Sequence, residues 1–448
     1  HWHGIEQRHR NWADGVAFVT ECPIVPGKDF QYKFPVPNQA GTFWYHSHYG
    51  LQYCDGLRGP LIIRDPQEAR IFRYTVDDDT TVITLADCYT GQKRHKVASS
   101  SSQSPSSSDL IFAISNRYRF RLISMACSVP WMFSIDEHKL EVIEVEGTLI
   151  QSNVVTQIPI HAGQRYSFIV RVSRPQVHRV RVEVPTDLAN HERYHGGYPA
   201  NATLHYMGAS DKVPDTKEWN PQIQLDEQTL RSREEDPYLG KDIERYAVTL
   251  GQTRLNDSDP HSAITGFTMN GKRFRLPSVP VLLQVLNGNK NATKLLPKDS
   301  IIPVQRNKTI QVRFDNADFT VSGPSPPLTI ELHQHSFSVV RSAGYMNAIH
   351  TDRPVRRDTV ATSIFNHPDD RNTSSVTVRF RTDNPGPWIM HCHIDEHLEL
   401  GMAVVFAEDV SDIEQWQEGE PDLRESMAQE CRNFWNFYPG SGPKGLSY

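Results

Sequence analysis

Hydrophobic and polar residues alternate with a period of two along much of the chain, which is the pattern of half-buried β-strands. Short runs rich in proline, glycine and asparagine separate these segments, and the 30 prolines of the chain disfavour helix. The clearest alternating segments are RYRFRLIS (117–124), KLEVIEVE (139–146), YSFIVRVS (166–173), RVRVEV (179–184), TIQVRF (309–314), FSVVRS (337–342), SVTVRFRT (375–382) and MAVVFAE (402–408). We therefore predict an all-β protein made of sandwiches or barrels, with helix mainly in the last forty residues.

The chain has 448 residues, which is too long for one ordinary hydrophobic core and predicts two or three domains. Composition places one boundary near residue 67, after LIIRDP, and another near residue 240. The charged and polar stretch 208–245 is typical of a long connection between domains, with some helix. The serine-rich tract 99–108 is of low complexity and predicts a mobile loop.

Charge and hydropathy exclude two classes of partner. The net charge is −6, so no basic field favours nucleic acid or an anionic membrane surface. No run of eighteen or more apolar residues is present, so we predict no membrane-spanning segment.

Cysteines and glycosylation sequons indicate the compartment. If one of the six cysteines binds a metal, the other five suffice for two disulfides and one unpaired thiol. Five Asn-x-Ser/Thr sequons begin at Asn201, Asn256, Asn291, Asn307 and Asn372. Together these features favour a secreted, extracellular glycoprotein. No signal peptide precedes His1, so we expect a fragment or trimmed sequence whose first strands lie upstream.

Four histidine clusters carry the candidate chemistry. Each places two histidines at positions i and i+2, which lie on the same face of a strand. A single such pair is more often a surface or core pair, whereas four of them indicate a site for several metal ions, and imidazole suits copper. The clusters are HWHG (1–4), HSH (46–48), LHQH (332–335) and HCHIDEH (391–397).

The tripeptide His391-Cys392-His393 is the most informative of these patterns. On a strand, the two histidines point to the face opposite Cys392. Cys392 and His397 can bind one copper ion with Met402 as a weak axial ligand, while the two histidines bind a second centre. The tripeptide therefore predicts a link for electrons between two copper sites. The alternative, a buried cysteine among chance histidines, has no packing rationale because all three side chains compete for polar partners.

Six segments carry a resemblance to a known family. They are HWHGIEQRHRNWADGVAFVTECPI, QAGTFWYHSH, QYCDGLRGPLII, RYRFRLIS, FSVVRSAG and FRTDNPGPWIMHCHIDEHLELGMAVVFAED. Over nearly its whole length the chain resembles the multicopper oxidases, and within them the secreted fungal laccases of basidiomycetes. The resemblance implies three cupredoxin-like (plastocyanin-like) Greek-key β-sandwich domains, which we place at 1–67, 68–240 and 241–448. The first would lack its amino-terminal strands.

The resemblance also implies four copper ions and their ligands. A type 1 copper would lie in the last domain, and a cluster of one type 2 and two type 3 coppers would lie between the first and last domains. His1 matches a type 2 ligand, and the type 1 ligands would be Cys392, His397 and the axial Met402. The type 3 ligands would be His3, His46, His48, His333, His391 and His393.

Further roles follow from the same resemblance. Asp14 resembles an acidic residue that assists proton delivery, and would act in catalysis with His391, Cys392 and His393. Asp395 and Glu399 would shape the type 1 loop. The disulfides would be Cys22–Cys431 and Cys54–Cys127, which leaves Cys88 as an unpaired buried thiol.

The chain departs from the family at the motif HPFHLHGH, where residues 328–335 read LTIELHQH. The neighbouring FSVVRSAG sets the register, so Leu328 stands at the type 1 histidine and Glu331 at the type 2 histidine. Glu331 can ligate copper, whereas leucine cannot. His335 cannot substitute, because two residues along a strand move a side chain about 6.5 Å and a metal–nitrogen bond is about 2 Å. A two-residue slip would bring His333 and His335 to the cluster, yet would still leave type 1 without a histidine.

The substrate side differs as well. Ser128 replaces an acidic residue that laccases often place near the phenol, and Glu396 stands where an aromatic residue is common. These residues do not predict a phenol pocket.

The leading functional hypothesis is a monomeric laccase-like oxidase, of the kind that serves lignin degradation. It would couple one-electron oxidation of phenols or aromatic amines to the four-electron reduction of O₂ to water. The main alternative is a copper-depleted, non-catalytic or fragmentary relative, because Leu328 and Glu331 replace copper histidines. A ferroxidase is a third hypothesis, for which Glu396 is the only indication.

Overall fold

The fold was taken from a computed structural model that describes most of the chain. The described residues are 1–87, 89–90, 94–95, 109–112, 116–171, 177–183, 200–207, 209, 220–237, 239–254, 265–316, 328–344, 349–362, 375–415 and 422–442. The predicted serine-rich loop and the predicted unpaired thiol of Cys88 lie outside these residues.

Strands dominate the described chain, as predicted. They are Trp2–His3 (β1), Gly41–His46 (β2), Arg58–Ile63 (β3), Val82–Leu85 (β4), Tyr89–Thr90 (β5), Arg94–His95 (β6), Asp109–Phe112 (β7), Arg117–Ser124 (β8), Trp131–Ile135 (β9), Leu140–Val145 (β10), Thr148–Val155 (β11), Ile158–Ile160 (β12), Arg165–Arg171 (β13), Val177–Glu183 (β14), Ala200–Tyr206 (β15), Ile243–Arg254 (β16), Thr265–Met269 (β17), Ile301–Val304 (β18), Thr309–Asn316 (β19), Thr329–Leu332 (β20), Phe337–Arg341 (β21), Arg356–Arg357 (β22), Thr359–Ala361 (β23), Ser375–Arg381 (β24), Gly386–Cys392 (β25) and Ala403–Glu408 (β26). Each of the eight alternating segments overlaps one of these strands, with ends that differ by at most two residues.

Helices are few and short within the described residues. The α-helices are Pro66–Phe72 (α1), Val281–Leu286 (α2), Asp395–Glu399 (α3) and Leu423–Phe437 (α4). Short 3₁₀-helices are formed by Asn11–Ala13, Asp79–Thr81, Glu227–Thr229, Ala292–Lys294 and Val410–Gln415. Helix α4 confirms the prediction of helix in the carboxy-terminal tail. None of the described helices has the length and apolar character needed to cross a membrane.

The sheets follow one another along the chain. A three-stranded sheet has the order β1-β2-β3. Two five-stranded sheets follow, with the orders β11-β10-β13-β8-β4 and β12-β9-β14-β15-β7. The last part forms a six-stranded sheet, β17-β16-β19-β24-β21-β22, and a five-stranded sheet, β18-β26-β25-β20-β23. β5 and β6 form a separate two-stranded ribbon. No described sheet mixes strands from two of the ranges 1–67, 68–240 and 241–448. The domain boundaries near 67 and 240 stay a prediction.

Alternation along the strands builds the cores. In β8, Tyr118, Phe120 and Leu122 point into an apolar core that also holds Trp131 and Phe168. The same cluster continues into the last part of the chain. Burial of each large apolar side chain stabilises the fold by roughly 1.5–3 kcal/mol.

The three-stranded sheet is anchored to the middle part by buried polar contacts. The carboxylate of Glu144, on β10, accepts hydrogen bonds from the Thr42 backbone N–H at 2.9 Å and from the Thr42 hydroxyl at 3.0 Å. Arg119, on β8, donates to Glu144 at 2.8 Å, and Arg121 donates to the Thr42 hydroxyl at 2.9 Å. These contacts fix the position of β2, whose end carries one of the histidine clusters.

Two disulfides close long loops, with the pairing that the resemblance implied. Cys22 bonds to Cys431 across a separation of 409 residues, and Cys54 bonds to Cys127 across 73 residues. The first ties helix α4 to the amino-terminal part of the chain. Such cross-links stabilise by restricting the unfolded chain, typically by about 2–4 kcal/mol.

Candidate metal centre

Strand β1 brings the first histidine cluster against the second. β1 pairs antiparallel with β2, with His3 opposite Trp44, and the terminal amino group of His1 donates to the His46 carbonyl at 2.8 Å. His46 is the last residue of β2, and His48 follows it beyond the end of the strand. The expectation that this pair lies within a strand is therefore wrong for His48, although its ring still turns toward the same centre.

Strands β20 and β25 bring the other two clusters together. In their antiparallel register, Ile330 lies opposite Cys392 and Glu331 lies opposite His391. Directly opposed side chains share a face of the sheet, so Glu331 and His391 lie on one face and Cys392 lies on the other. This register places Glu331 on the same face as His391 and excludes the two-residue slip.

Donor atoms from all four clusters converge at this face. His391 Nε2 lies 3.2 Å from His48 Nε2 and 3.0 Å from His333 Nε2. His393 Nε2 lies 3.2 Å from His3 Nδ1. Within 4.8 Å of one another lie the donor atoms of the groups His1–His3–His46, His48–His333–His391, His1–Asp14–His333 and His3–Glu331–His393. We call the seven histidines and Glu331 the histidine cluster.

Glu331 lies at the middle of the histidine cluster. Its Oε1 is 3.3 Å from His1 Nε2 and 3.1 Å from His3 Nδ1. Its Oε2 is 3.3 Å from His391 Nε2 and 3.6 Å from His393 Nε2. The side chain is buried, and these contacts with the surrounding imidazoles hold it in place.

Most of these imidazoles use one nitrogen for the surrounding protein and turn the other to the centre. His46 Nδ1 bonds the Ser47 carbonyl at 2.9 Å and His391 Nδ1 bonds the Cys392 carbonyl at 2.9 Å. His333 Nδ1 lies 3.1 Å from an Asp14 carboxylate oxygen, and His3 Nε2 lies 3.1 Å from Asp358. A hydrogen bond at one nitrogen sets the tautomer and leaves the other nitrogen free to bind a metal. Among the described residues, buried His46 Nε2 has no hydrogen-bond partner.

The charges also suit a bound cation. Burial holds the pKa values of His46, His48 and His393 well below the ordinary range, so these rings are neutral. Burial would raise the pKa of Glu331, but the neighbouring histidines outweigh it and hold that pKa well below its usual range. Burial would lower the pKa of His1, yet Asp14 and Glu331 raise it to about 10. Neutral imidazoles and an ionised carboxylate are the forms that bind metal, so His46, His48, His393 and Glu331 fit a metal ion as they stand, and His1 fits one on losing its proton.

A cavity of about 490 Å³ leads to the histidine cluster. Its wall includes His1, His46 and His48, together with Trp2 and Tyr45. Small molecules can therefore reach the imidazoles from solvent.

The sequence did not single out the groups that hold His3. Arg165 donates to both oxygens of Asp358, at 2.6 Å each, and Asp358 Oδ1 lies 3.1 Å from His3 Nε2. Glu146 in turn accepts the backbone N–H groups of Asp358 and Thr359, at 2.9 and 3.0 Å. Single charged residues in alternating strands carry no local signal of such a role, because their partners lie 193 and 355 residues away.

The other face of β25 carries Cys392 in apolar surroundings. Cys392 Sγ lies 3.5 Å from His397 Nδ1, and the His397 ring stacks on Phe267 at 3.9 Å between ring centres. The Cys392 N–H donates to the Met402 carbonyl, and the Met402 N–H donates to the His397 carbonyl. Burial raises the pKa of the Cys392 thiol to about 12.

These residues do not fit a blue type 1 copper site, which requires two histidines and a cysteine. Leu328 is buried in the same apolar cluster as Cys392 and Met402. Within the described residues, Cys392 belongs to no group of three converging histidine, cysteine or carboxylate side chains. We call Cys392, His397 and Met402 the thiolate site.

His335 lies away from both sites. β20 ends at Leu332, and Gln334 takes a left-handed conformation with φ of 63°, so the chain turns after His333. His335 Nε2 lies 3.1 Å from a Glu408 oxygen, and the ring lies beside Phe380. The expectation that His333 and His335 share a strand face is therefore wrong.

Comparison with known proteins identifies the family. Models of the family described as "Multicopper oxidase" match residues 1–68, 108–209 and 274–412. Laccase-1 of Fomitopsis schrenkii is 42% identical over 92% of this chain and 76% of its own length. A laccase of Trametes hirsuta is 42% identical over 92% of this chain and 79% of its own. The crystal structure of the Botrytis aclada laccase is similar, with a TM-score of 0.79 and 25% identity, covering 100% of this chain and 83% of that one. The chain therefore belongs to the multicopper oxidase family, whose members use copper.

Proposed function

We propose that the protein is a laccase-type oxidoreductase, which couples one-electron oxidation of phenols or aromatic amines to the reduction of O₂ to water. One observation carries this proposal: seven imidazoles and Glu331 converge on one centre, and two of those imidazoles flank Cys392 in the chain. The identity to named laccases supports the same activity. The complete donor set of the histidine cluster does not favour a copper-depleted, non-catalytic relative.

The histidine cluster would hold the copper ions at which O₂ is reduced, and copper supplies the redox chemistry there. We assign His3, His46, His48, His333, His391 and His393 as type 3 ligands, and His1 with Glu331 as type 2 ligands. The neutral rings of His46, His48 and His393 and the ionised Glu331 are already in the form that binds metal, whereas His1, whose pKa is raised to about 10, would release a proton on binding.

Residues around the cluster orient these ligands. Asp14 accepts hydrogen bonds from His333 and from the Gln334 amide, and its backbone carbonyl contacts His1 Nδ1 at 3.0 Å. We propose that Asp14 positions both rings and holds a proton at His333 Nδ1 near the site of O₂ reduction. Asp358, clamped by Arg165, positions His3 in the same way.

The peptide from His391 to His393 joins the two faces of β25. Cys392 shares backbone bonds with a cluster histidine on each side, so the thiolate site and the histidine cluster are linked covalently. Asp395, at the start of α3, and Glu399, at its end, belong to the helix that carries His397. Their proposed role is to shape that segment.

We also propose that the protein is secreted, glycosylated and monomeric. Two disulfides favour an oxidising compartment. The sequon residues Asn201 and Asn291 are exposed, as glycan attachment requires. The three-domain organisation with boundaries near 67 and 240 belongs to the same proposal.

Oxygen uptake by the copper-loaded protein tests the activity. A methoxyphenol should drive uptake with no release of hydrogen peroxide, because four electrons reduce O₂ fully to water. An equal concentration of Fe(II) should drive less, since exposed Glu396 is the only acidic residue that suggested ferroxidase activity. Copper-loaded protein that takes up no oxygen with any phenol or aromatic amine would refute the proposal.

A further inference from the structure

Leu328 changes the chemistry of the thiolate site as well as its ligand count. Leu328 directly precedes β20, and its carbonyl accepts a hydrogen bond from the Thr362 N–H at 2.8 Å, which continues the pairing of that strand. It lies two residues before Ile330, which is opposite Cys392, so it continues the Cys392 face. The side chain is 2% exposed and belongs to the apolar cluster that holds Cys392 and Met402. An apolar side chain therefore occupies the face from which a second imidazole would come.

The described neighbours offer no replacement imidazole. His335 is committed to Glu408, at 3.1 Å, and lies beyond the turn at Gln334. His391 and His393 point to the opposite face, where they contact His48, His333 and His3. The thiolate site therefore has one imidazole, that of His397, beside the Cys392 sulfur, and Met402, whose backbone pairs with that of Cys392, is buried in the same apolar cluster.

This donor set favours one oxidation state of copper. Thiolate and thioether are soft ligands and select Cu(I), whereas Cu(II) prefers more nitrogen and oxygen donors in a tetragonal arrangement. Full burial of Cys392 and Met402 adds to this preference, because a site without water favours the smaller net charge. A thiolate with Cu(I) is neutral, whereas the same thiolate with Cu(II) leaves a buried positive charge.

We propose that the thiolate site binds copper as Cu(I), through Cys392, His397 and Met402, and that the protein consequently lacks the blue absorption of a type 1 site. This inference rests on the copper chemistry of the proposed function. It concerns only the Cys392 face of β25, so the histidine cluster keeps its copper whether or not the inference holds. Electrons from a phenol would then enter at the histidine cluster, which the cavity of about 490 Å³ reaches, because Cu(I) at the thiolate site cannot accept them.

The test measures copper and colour on the full chain. The chain is loaded with Cu(I) without oxygen, exposed to air, and freed of loosely bound metal. We expect no blue absorption and no type 1 signal in electron paramagnetic resonance. Cys392→Ser should hold about one copper per chain less than the unchanged protein, because its only lost donor is the soft thiolate.

Leu328→His supplies the missing imidazole and should produce the blue absorption and the type 1 signal. Leu328→Met is the matched control, since it keeps the volume and adds a thioether without an imidazole. It should remain colourless and hold as much copper as the unchanged chain. Circular dichroism and the unfolding midpoint show that each variant is folded.

Three results would overturn the inference. Blue colour in the unchanged protein would mean that Cu(II) is bound without a second histidine. Equal copper in the unchanged protein and Cys392→Ser would mean that the thiolate site holds no copper. A folded, copper-replete Leu328→His that stays colourless would mean that Leu328 is not the cause. Failure of the proposed function would instead show as absence of oxygen uptake with any phenol or aromatic amine in protein whose histidine cluster, counted in Cys392→Ser, holds its copper.

Discussion

The two faces of β25 differ in how their metal-binding side chains are supported. On the face of His391, donors from four chain segments meet, and most have a hydrogen bond on the far side that sets their orientation. On the face of Cys392, three candidate donors lie among apolar side chains, and leucine stands at the fourth position. His391 and Cys392 are adjacent in sequence, yet His391 belongs to the histidine cluster, which has a full donor set, and Cys392 belongs to the thiolate site, which lacks a ligand.

The difference shows which substitutions a metal site tolerates. Glu331 replaces a histidine on the cluster face, but a carboxylate still offers donor oxygens and lies within 3.1–3.7 Å of surrounding imidazole nitrogens. Leu328 replaces a histidine on the other face and offers no donor at all. Copper binding should therefore survive the replacement of a histidine by Glu331. The replacement by Leu328 should instead change which oxidation state of copper its site binds.

The largest expected effect is on copper content and oxygen uptake, and it should distinguish two buried histidines, His333 and His335. His333→Ala removes a donor from the histidine cluster, and we expect oxygen uptake to fall by at least about 100-fold with loss of bound copper. His335→Ala should leave copper content and activity in place and lower the free energy of unfolding by about 1–3 kcal/mol, because Glu408 loses its partner. Copper analysis and oxygen uptake distinguish them, and equal copper loss in both variants would contradict the assigned cluster.

The next test weakens the support of the cluster without touching a ligand. Asp358→Asn breaks the ion pair with buried Arg165, which should destabilise the protein by about 3–5 kcal/mol and lower copper affinity by roughly 10–100-fold. Asp315→Asn is the control, since the Arg313–Asp315 pair is exposed and should contribute less than about 1 kcal/mol. Chemical denaturation and copper titration provide both readings. Unchanged copper affinity in folded Asp358→Asn would mean that His3 does not depend on this support.

The smallest expected effect is on the pH dependence of stability. It concerns the buried carboxyls of Glu21 and Glu430, whose pKa values are raised, in contrast to Glu331, whose pKa the neighbouring imidazoles lower. Burial raises the pKa of Glu21, whose carboxyl accepts a hydrogen bond from Tyr32 at 2.6 Å. Burial and nearby Glu21 raise the pKa of Glu430. The folded state therefore favours the protonated forms, and stability should fall as pH rises from the ordinary glutamate pKa of 4.5 to about 8.

Glu21→Gln and Glu430→Gln should each reduce this loss, by about 1–2 kcal/mol at pH 8. Glu425→Gln, on the exposed side of α4, should leave the pH profile unchanged. Unfolding midpoints at pH 5 and pH 8 measure the difference. An undiminished loss in the double variant would show that other groups set the pH dependence.

Much of the fold was predictable because its signals are local. Alternation located eight strands to within two residues, and the family resemblance supplied both disulfides and the set of donor residues. The interpretation of Leu328 and Glu331 also came from the sequence, through the register of FSVVRSAG. The sequence also determined that Leu328 has no donor atom, since this follows from residue type alone.

Only the tertiary structure decided which donors meet. Glu331 lies beside His1 although 330 residues separate them. This proximity depends on how the sheet that contains β1 packs against the sheet that contains β20 and β25. His333 and His335 look equivalent in sequence, but the turn at Gln334 directs one to the cluster and the other to Glu408. Arg165 and Asp358 became a support for His3 only through packing between separate parts of the chain. Local patterns specify side-chain chemistry and the face of a strand, whereas convergence of donors requires contacts across hundreds of residues.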